Sequence, residues 1–489
     1  MRSESKKQKA ESSVGEEQSV IHNPQSAVRT ADRSVLSPQS SSLFVYNLLL
    51  TALAIPALPF AGLALLARPR YRLGLAQRLG FLPDEVKQCV RDRQPLWLHA
   101  PSVGEILATR PFLRALKQTF PDKPLLLSMQ TPTAYITAQT KIPEADAVLY
   151  FPLDHPLLIR RVLRQVRPAA FFFTETEMWP NCLLMLAREG VPTFLVSGRF
   201  SRHARARYRV LRPLFRPVFQ NLTLCCMQTR DDAERLIEAG TPRERVIVTG
   251  NFKVDGVNER GGQGQAILQA AGLADRLLLI GASTHPGEET ILLHTYRRLR
   301  TAVPNLLLLL APRHPQRFTE VEEMLKMGGY RYVKRSQTAG APITDAEVFL
   351  LDTLGELSSF YRTAALAFVG GSLVKGPGGH SVIEPALAQV PVCFGPYTRN
   401  FTTVVEELIR AGGGFEVRDG EAFYQQTLPL LTNADARQEA GRRAYAVIKR
   451  GQGAVERTLA AVLECLKASD QRSAVSRQPK KNATGRTEE

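Results

Sequence analysis

From about residue 95 the chain alternates short apolar runs with longer amphipathic stretches. Short continuous apolar runs between turn residues are the pattern of strands buried on both faces, as in a parallel sheet. They predict strands over residues 96–100, 125–129, 147–151, 170–174, 193–196, 222–227 and 246–249. A second series predicts strands over 277–281, 306–311, 330–333, 348–351, 366–369, 392–394 and 414–417. Amphipathic stretches between them, 105–120 and 156–166 among these, predict helices. The alternation points to α/β units around parallel sheets. Gly256, Gly261, Gly262 and Gly264 break the series, so the pattern predicts domains over 68–255 and 269–465 with a linker at 256–268. Ligands of such sheets sit beyond the carboxyl ends of the strands, and two such edges facing each other make a cleft.

Upstream the pattern changes. Residues 1–42 are rich in Ser, Gln and Glu without apolar periodicity, and they predict a disordered extension, as do residues 466–489. Residues 43–67 form one apolar run with no charged residue, about the length needed to cross a bilayer core. Pro56 and Pro59 would kink a helix there. No small-residue cleavage pattern follows, so the run reads as a retained membrane anchor. Arg68, Arg70, Arg72, Arg78 and Lys87 follow it closely, which places the C-terminal body in the cytoplasm by the positive-inside rule.

Composition narrows the function classes. The 489 residues are 44% hydrophobic and 22% charged, which is globular. The six cysteines include no CxxC pair, which argues against a disulfide scaffold and a zinc ribbon and for small buried residues of a reducing compartment. Net charge is +17, and the terminal stretches hold little of it. The body therefore favours anionic partners, be they nucleic acid, anionic lipid or phosphorylated substrates.

Several motifs carry candidate chemistry. Residues 97–105 run from an apolar strand through Pro101, Ser102 and Gly104 to a helix start at Glu105. A carboxylate at that corner can take a proton from an attacking hydroxyl, and a helix N-terminus favours its ionised form. The structural alternative is a Glu that satisfies first-turn N–H groups. The same segment imperfectly matches a nucleophile elbow on Ser102, though two complete α/β domains do not suit a single-sheet hydrolase. Glu175 and Glu177 follow a strand as a paired acid and base, or as one helix cap and one hydrogen-bond acceptor. Arg199, Arg202, Arg205, Arg207, Arg209, Arg212 and Arg216 have no acid between them, and Phe200, Tyr208 and Phe215 interleave. That stretch suits a phosphate or membrane surface, and by itself it also suits nucleic acid. In the second half, glycines and polar residues at 281–289, 311–318, 352–357, 370–373 and 378–385 fall at strand ends or helix starts. Backbone N–H groups there can approach phosphate oxygens, and Arg313 can pair with one. There is no Walker A motif and no ordered GxGxxG after the first strand. His99, His285, His314 and His380 lack tight metal-ligand spacing and suit structural or phosphate-binding roles.

Taken in order, these motifs resemble the Kdo transferases of lipopolysaccharide synthesis. The likeness runs through His99 and Ser102-Val103-Gly104-Glu105, Thr131-Pro132-Thr133, Phe151-Pro152-Leu153-Asp154 and Glu175 to Asn181. It continues through Gly250 to Asp255, Ser283-Thr284-His285, Pro312-Arg313-His314-Pro315, Gly355-Glu356-Leu357, Gly370-Gly371-Ser372 and Gly379-His380. The resemblance implies a GT-B fold, two Rossmann-like domains facing across a cleft, preceded by an N-terminal membrane-anchor helix. It implies inverting transfer of Kdo from CMP-Kdo to a lipid A precursor, lipid IVA, with no metal or other cofactor. Glu105 would be the general base. The CMP contacts would fall on Pro312, Arg313, Gly355, Glu356, Leu357, Ser381, Val382, Ile383 and Glu384. Ser102, Arg199 and Arg202 are acceptor-binding candidates in the N-terminal domain. The expected partners are CMP-Kdo, a lipid A precursor and inner-membrane lipids, without nucleic acid, and the expected location is the cell inner membrane with the catalytic domains on its cytoplasmic side. Where the family's pattern usually has Asn after the glycine–histidine pair, this chain has Ser381, whose side chain is shorter. Ala134 replaces a usual Gly, and the N-terminal extension lies outside the pattern. Two alternatives remain: another GT-B enzyme with a different nucleotide sugar, or a membrane-anchored basic binding protein without turnover.

Overall fold

The structure, a computed structural model, describes residues 41–67, 72–256, 263–338 and 345–476. It divides into two units, one comprising 1–256 and 453–489, the other 257–452.

The first unit is built on a seven-stranded parallel sheet. Its strands are β1 (Leu96–His99), β2 (Leu125–Met129), β3 (Ala147–Tyr150), β4 (Ala170–Glu175), β5 (Thr193–Gly198), β6 (Leu224–Met227) and β7 (Val246–Val248). Their order is β3-β2-β1-β4-β5-β6-β7. Alternate side chains point to opposite faces. Trp97, Phe171 and Phe173 enter one core, while Leu98, Phe172 and Phe194 enter the other. Helices cover both faces, which is why these strands are apolar without alternation.

The second unit repeats the plan with β8 (Leu277–Thr284), β9 (Leu306–Pro312), β10 (Tyr332–Lys334), β11 (Val348–Leu350), β12 (Ala364–Val369), β13 (Val392–Phe394) and β14 (Gly414–Glu416). The order is β10-β11-β9-β8-β12-β13-β14, again all parallel. The all-leucine run of β9 splits by parity: Leu306, Leu308 and Leu310 pack on one face, Leu307 and Leu309 on the other.

Three boundaries differ from the sequence pattern. The expected domain 269–465 ends early, because the helix Ala454–Ser476 belongs to the first unit. Ala454, Val455, Ala461, Val462 and Cys465 join the core beneath β5 and β6. Asp255 accepts hydrogen bonds from the Gly453 and Val455 amides at 2.8 and 2.7 Å and so fixes the start of that helix. The expected disordered tail 466–489 is therefore helical as far as Ser476, and its remainder lies outside the described residues. Within the expected linker, the helix Gln263–Ala270 already begins, while 257–262 lie outside the described residues. The N-terminal extension is outside them up to residue 40, as are Arg68 and Arg70.

The apolar run is a helix, Ser41–Ala67. Its first half docks on the first unit. Leu43 is buried in the core, the Asn181 amide donates to Asn47 Oδ1 at 2.8 Å, and the Tyr46 hydroxyl meets Asp154 Oδ2 at 3.4 Å. On its other side Phe44, Val45, Leu48, Leu49 and Leu53 are exposed, Leu48 by 56%. Most side chains of the second half lie outside the described residues, and among the described residues no helix is long and apolar enough to cross a membrane. All six cysteines are free, and only Cys89 is not fully buried.

Candidate functional site

The order of the first sheet reverses between β1 and β4, and both strands deliver a carboxylate at their carboxyl ends. Open α/β sheets bind ligands at such a switch point. After β1 the chain turns at Pro101 and enters the helix Val103–Thr119, with Ser102 in extended backbone as its N-cap. Glu105 occupies the third helical position, where its Oε2 accepts the Ser102 N–H at 3.0 Å in a capping box. Glu175 ends β4 with φ +53°, where the pairing with β5 slips by one residue. Ser197, near the end of β5, also has positive φ, at +49°. Positive φ in non-glycine residues is uncommon and concentrates at functional sites.

Lys253 completes the group. It comes from the short helix Phe252–Asp255 that follows β7 and is capped by the Asn251 side chain. Its ammonium lies 3.2 Å from Glu175 Oε1. Glu105, Glu175 and Lys253 line one pocket with Thr109, Thr174, Ser197, Asn251 and Phe252.

The Glu105 carboxyl is pushed up to about 7. Burial is the largest cause and the negative charge of Glu175 the next, while hydrogen bonds from Ser102 and the charge of Lys253 act the other way. This corrects the expectation that the helix N-terminus keeps Glu105 ionised: burial beside a second carboxylate outweighs it. A carboxyl held near neutrality is suited to both accept and release a proton. It caps its helix as well, so the structural alternative read from the sequence is met in the fold.

Neither acid of the 175–177 pair caps the next helix, whose N-cap is Trp179. Glu177 instead accepts from the Gln130 amide at 3.1 Å. Lys253 was legible only as part of the motif 250–255. Its signal was a basic residue just past a strand end, without any indication of its partner.

Of the acceptor candidates, Ser102 is exposed at the pocket's helix start, Arg199 is half-buried after β5, and Arg202 opens the helix Arg202–Val210. Arg205, Arg209 and Arg212 line a groove with Tyr208 and Glu238, and Arg205 pairs with Glu238 at 3.0 Å. Phe200, Tyr208 and Phe215 pack inward on one another and on Phe219. Those rings are core, so this stretch offers no row of exposed aromatics for stacked bases.

His99 is fully buried, lies tilted against Phe151 with ring centroids 4.1 Å apart, and is held through Nδ1 to Ser128, with burial driving its imidazole down to about 3.

In the second unit the order reverses between β8 and β12. Pro312 ends β9, and Arg313 follows it, exposed, with its amide donating to the Thr284 carbonyl at 3.0 Å. Val382, Ile383 and Glu384 start the helix after β12, preceded by half-buried Ser381. Burial raises the Glu384 carboxyl and the charge of Arg313 opposes the rise, so these two candidates lie within electrostatic reach of each other. Gly355, Glu356 and Leu357 follow β11, two strands from β8. Gly355 has φ +86°, and Glu356 is tied to Arg335 at 2.8 Å. The burial-raised Tyr361 hydroxyl, one turn past Leu357, feels Glu384, which links that loop to the others.

Residues 73–256 match the family model described as 3-Deoxy-D-manno-octulosonic-acid transferase (kdotransferase). Over 420 residues the chain is 35% identical to a 3-deoxy-D-manno-octulosonic acid transferase of Haemophilus influenzae, covering 85% of this chain and 97% of the relative. A 3-deoxy-D-manno-octulosonic acid transferase of Bordetella pertussis is 34% identical over 380 residues, 76% of this chain and 87% of the relative. Among solved structures, a UDP-GlcNAc 2-epimerase from Neisseria meningitidis aligns with a TM-score of 0.51 at 14% identity, covering 76% of this chain and 100% of that one. That last likeness is one of fold.

Proposed function

The chain belongs to the 3-deoxy-D-manno-octulosonic acid (Kdo) transferase family, glycosyltransferases, and on that premise we propose that it moves Kdo from CMP-Kdo to a lipid A precursor with inversion at the anomeric carbon. The observation that carries this is the Glu105, Glu175 and Lys253 group at the switch point of the first sheet. Glu105 takes the proton of an acceptor hydroxyl while that hydroxyl's oxygen bonds to the anomeric carbon. The bond from that carbon to the CMP phosphate oxygen breaks, and its electron pair leaves with CMP. Lys253, anchored by Glu175, supplies fixed positive charge beside the reacting oxygen. Arg313 and the backbone N–H groups at the start of the helix Ile383–Leu387 receive the departing phosphate, with Pro312, Gly355 to Leu357 and Ser381 to Glu384 around the nucleotide. The leaving group is already stabilised by these charges, so the step needs no metal.

The acceptor is proposed to be lipid IVA at the cytoplasmic face of the inner membrane. Support comes from the exposed apolar face of the Ser41–Ala67 helix and from the basic groove of Arg205, Arg209 and Arg212. Such a helix holds a protein on a bilayer through its apolar face, and basic residues add attraction to anionic headgroups. The test is formation of Kdo-bearing lipid from CMP-Kdo and lipid IVA in the presence of a chelator, with loss on Glu105→Ala.

A further inference from the structure

The two loops that flank the switch point of the second sheet bring a pair of imidazoles together. His285 follows β8 and His380 follows β12, 95 positions apart in sequence. Their Nε2 atoms lie 2.9 Å from each other and their rings stack at 5.1 Å. At that distance one Nε2 carries a proton and the other presents a lone pair, because two N–H groups cannot face each other. His314, after β9, meets His285 edge-on at 5.4 Å.

The loops are held open for this pair. Glu288 is fully buried, and its carboxylate accepts the amides of His285, Gly371, Ser372 and Leu373 at 2.7 to 3.0 Å. Gly371 has φ +67°, and a Cβ there would sit 2.9 Å from His380 Cδ2, so glycine admits the ring. Thr284, fully buried beside His285, has a hydroxyl without a hydrogen-bond partner.

We propose that His285 and His380, with Arg313, form the subsite that takes the anionic group of the nucleotide-sugar donor. This deepens, and rests on, the assignment of the second unit to the CMP sugar. An anion at the pair accepts an N–H from one ring and draws a further proton onto the pair, which becomes a charge-assisted donor. The free pair is poised for uptake. Burial first, then Arg313 and the neighbouring imidazoles, lower His380 to about 4. His285 is also lowered, mainly by burial, with Glu288 and Glu289 opposing and His314 and Arg317 assisting.

The experiment is isothermal titration of the full chain in detergent with cytidine, CMP and CMP-Kdo, at pH 6 and 8. Wild type is compared with His285→Asn and His380→Asn. The expected result is a roughly tenfold weaker affinity for the anionic ligands in either variant, with cytidine binding unchanged. Proton uptake on binding, read in buffers of different ionisation heat, is larger in wild type than in the variants. Weakening already with CMP assigns the subsite to the phosphate, and weakening only with CMP-Kdo assigns it to the sugar carboxylate. Unchanged affinity in both variants overturns the subsite while leaving the donor assignment intact. Equal weakening for cytidine also overturns it, since that marks collapse of the loops. Failure of wild type to bind either CMP or CMP-Kdo overturns the donor assignment and the subsite with it.

Discussion

Lys253 and Glu175 form a largely buried ion pair at 3.2 Å, their side chains only 19% and 20% exposed, in the pocket that holds Glu105. One comes from the helix after β7 and the other from the strained end of β4. Burial raises the proton affinity of Glu105 most, and the pair adds both a repelling and an attracting neighbour.

Turnover should therefore rise with pH through an acid limb near 7, as Glu105 gives up its proton. Glu175→Gln removes the neighbouring negative charge, so the limb should move to lower pH. Lys253→Met removes the opposing positive charge, so the limb should move up and the plateau should fall. Profiles of kcat/KM against pH for the three proteins check this; an unmoved limb in Glu175→Gln contradicts the coupling.

Stability should carry the same signature. The folded Glu105 carboxyl is raised above its usual value, so its favourable contribution is full below about 4.5 and is lost as pH rises through about 7. Gln at this position does not titrate. Glu105→Gln should match wild type near pH 4 and exceed it at pH 8 by about 1–2 kcal/mol, allowing for partial solvent screening. Chemical denaturation at the two pH values measures the difference.

Asp154 ties the N-terminal helix to the body. Its oxygens accept the Asn181 and Cys182 amides at 3.1 and 2.9 Å and meet the Tyr46 hydroxyl. Asp154→Ala should leave those donors buried without partners and cost about 2–3 kcal/mol. Proteolysis within 41–67 should become faster in the variant, and an unchanged cleavage rate would remove Asp154 from this role.

The exposed apolar face predicts membrane association. Replacing Phe44, Leu48 and Leu53 together by Asp should abolish co-flotation of the full chain with vesicles containing anionic lipid. The core contact of Leu43 is untouched by these changes. Undiminished flotation would move the attachment elsewhere.

Much of the fold was legible because parallel strands buried on both faces are apolar without interruption. The runs at 125–129 and 392–394 coincide with β2 and β13 residue for residue. The helix Ala454–Ser476 straddles the expected end of the second domain at 465 and the expected disordered tail, and nothing local says which sheet it covers. That depends on Asp255 capping it from almost two hundred residues upstream. The site was legible in part. Glu105 stood out at its strand–helix corner, whereas Lys253 needed the pairing of two distant strand ends to acquire a role. The sign of the Glu105 shift was missed for the same reason, since the burial that chiefly raises it is a property of the folded pocket and the second carboxylate arrives from β4. His285 and His380 were visible as motif members, while their contact follows only from the adjacency of β8 and β12.

The most direct test of the catalytic account is transfer itself. The full chain in detergent is mixed with lipid IVA and CMP-Kdo under chelator, and the lipid product is weighed by mass spectrometry beside Glu105→Ala. The account predicts Kdo-bearing lipid from wild type and a loss of about a hundredfold or more in the variant. A loss below about tenfold, roughly 1.4 kcal/mol of transition-state stabilisation, would contradict Glu105 as the base.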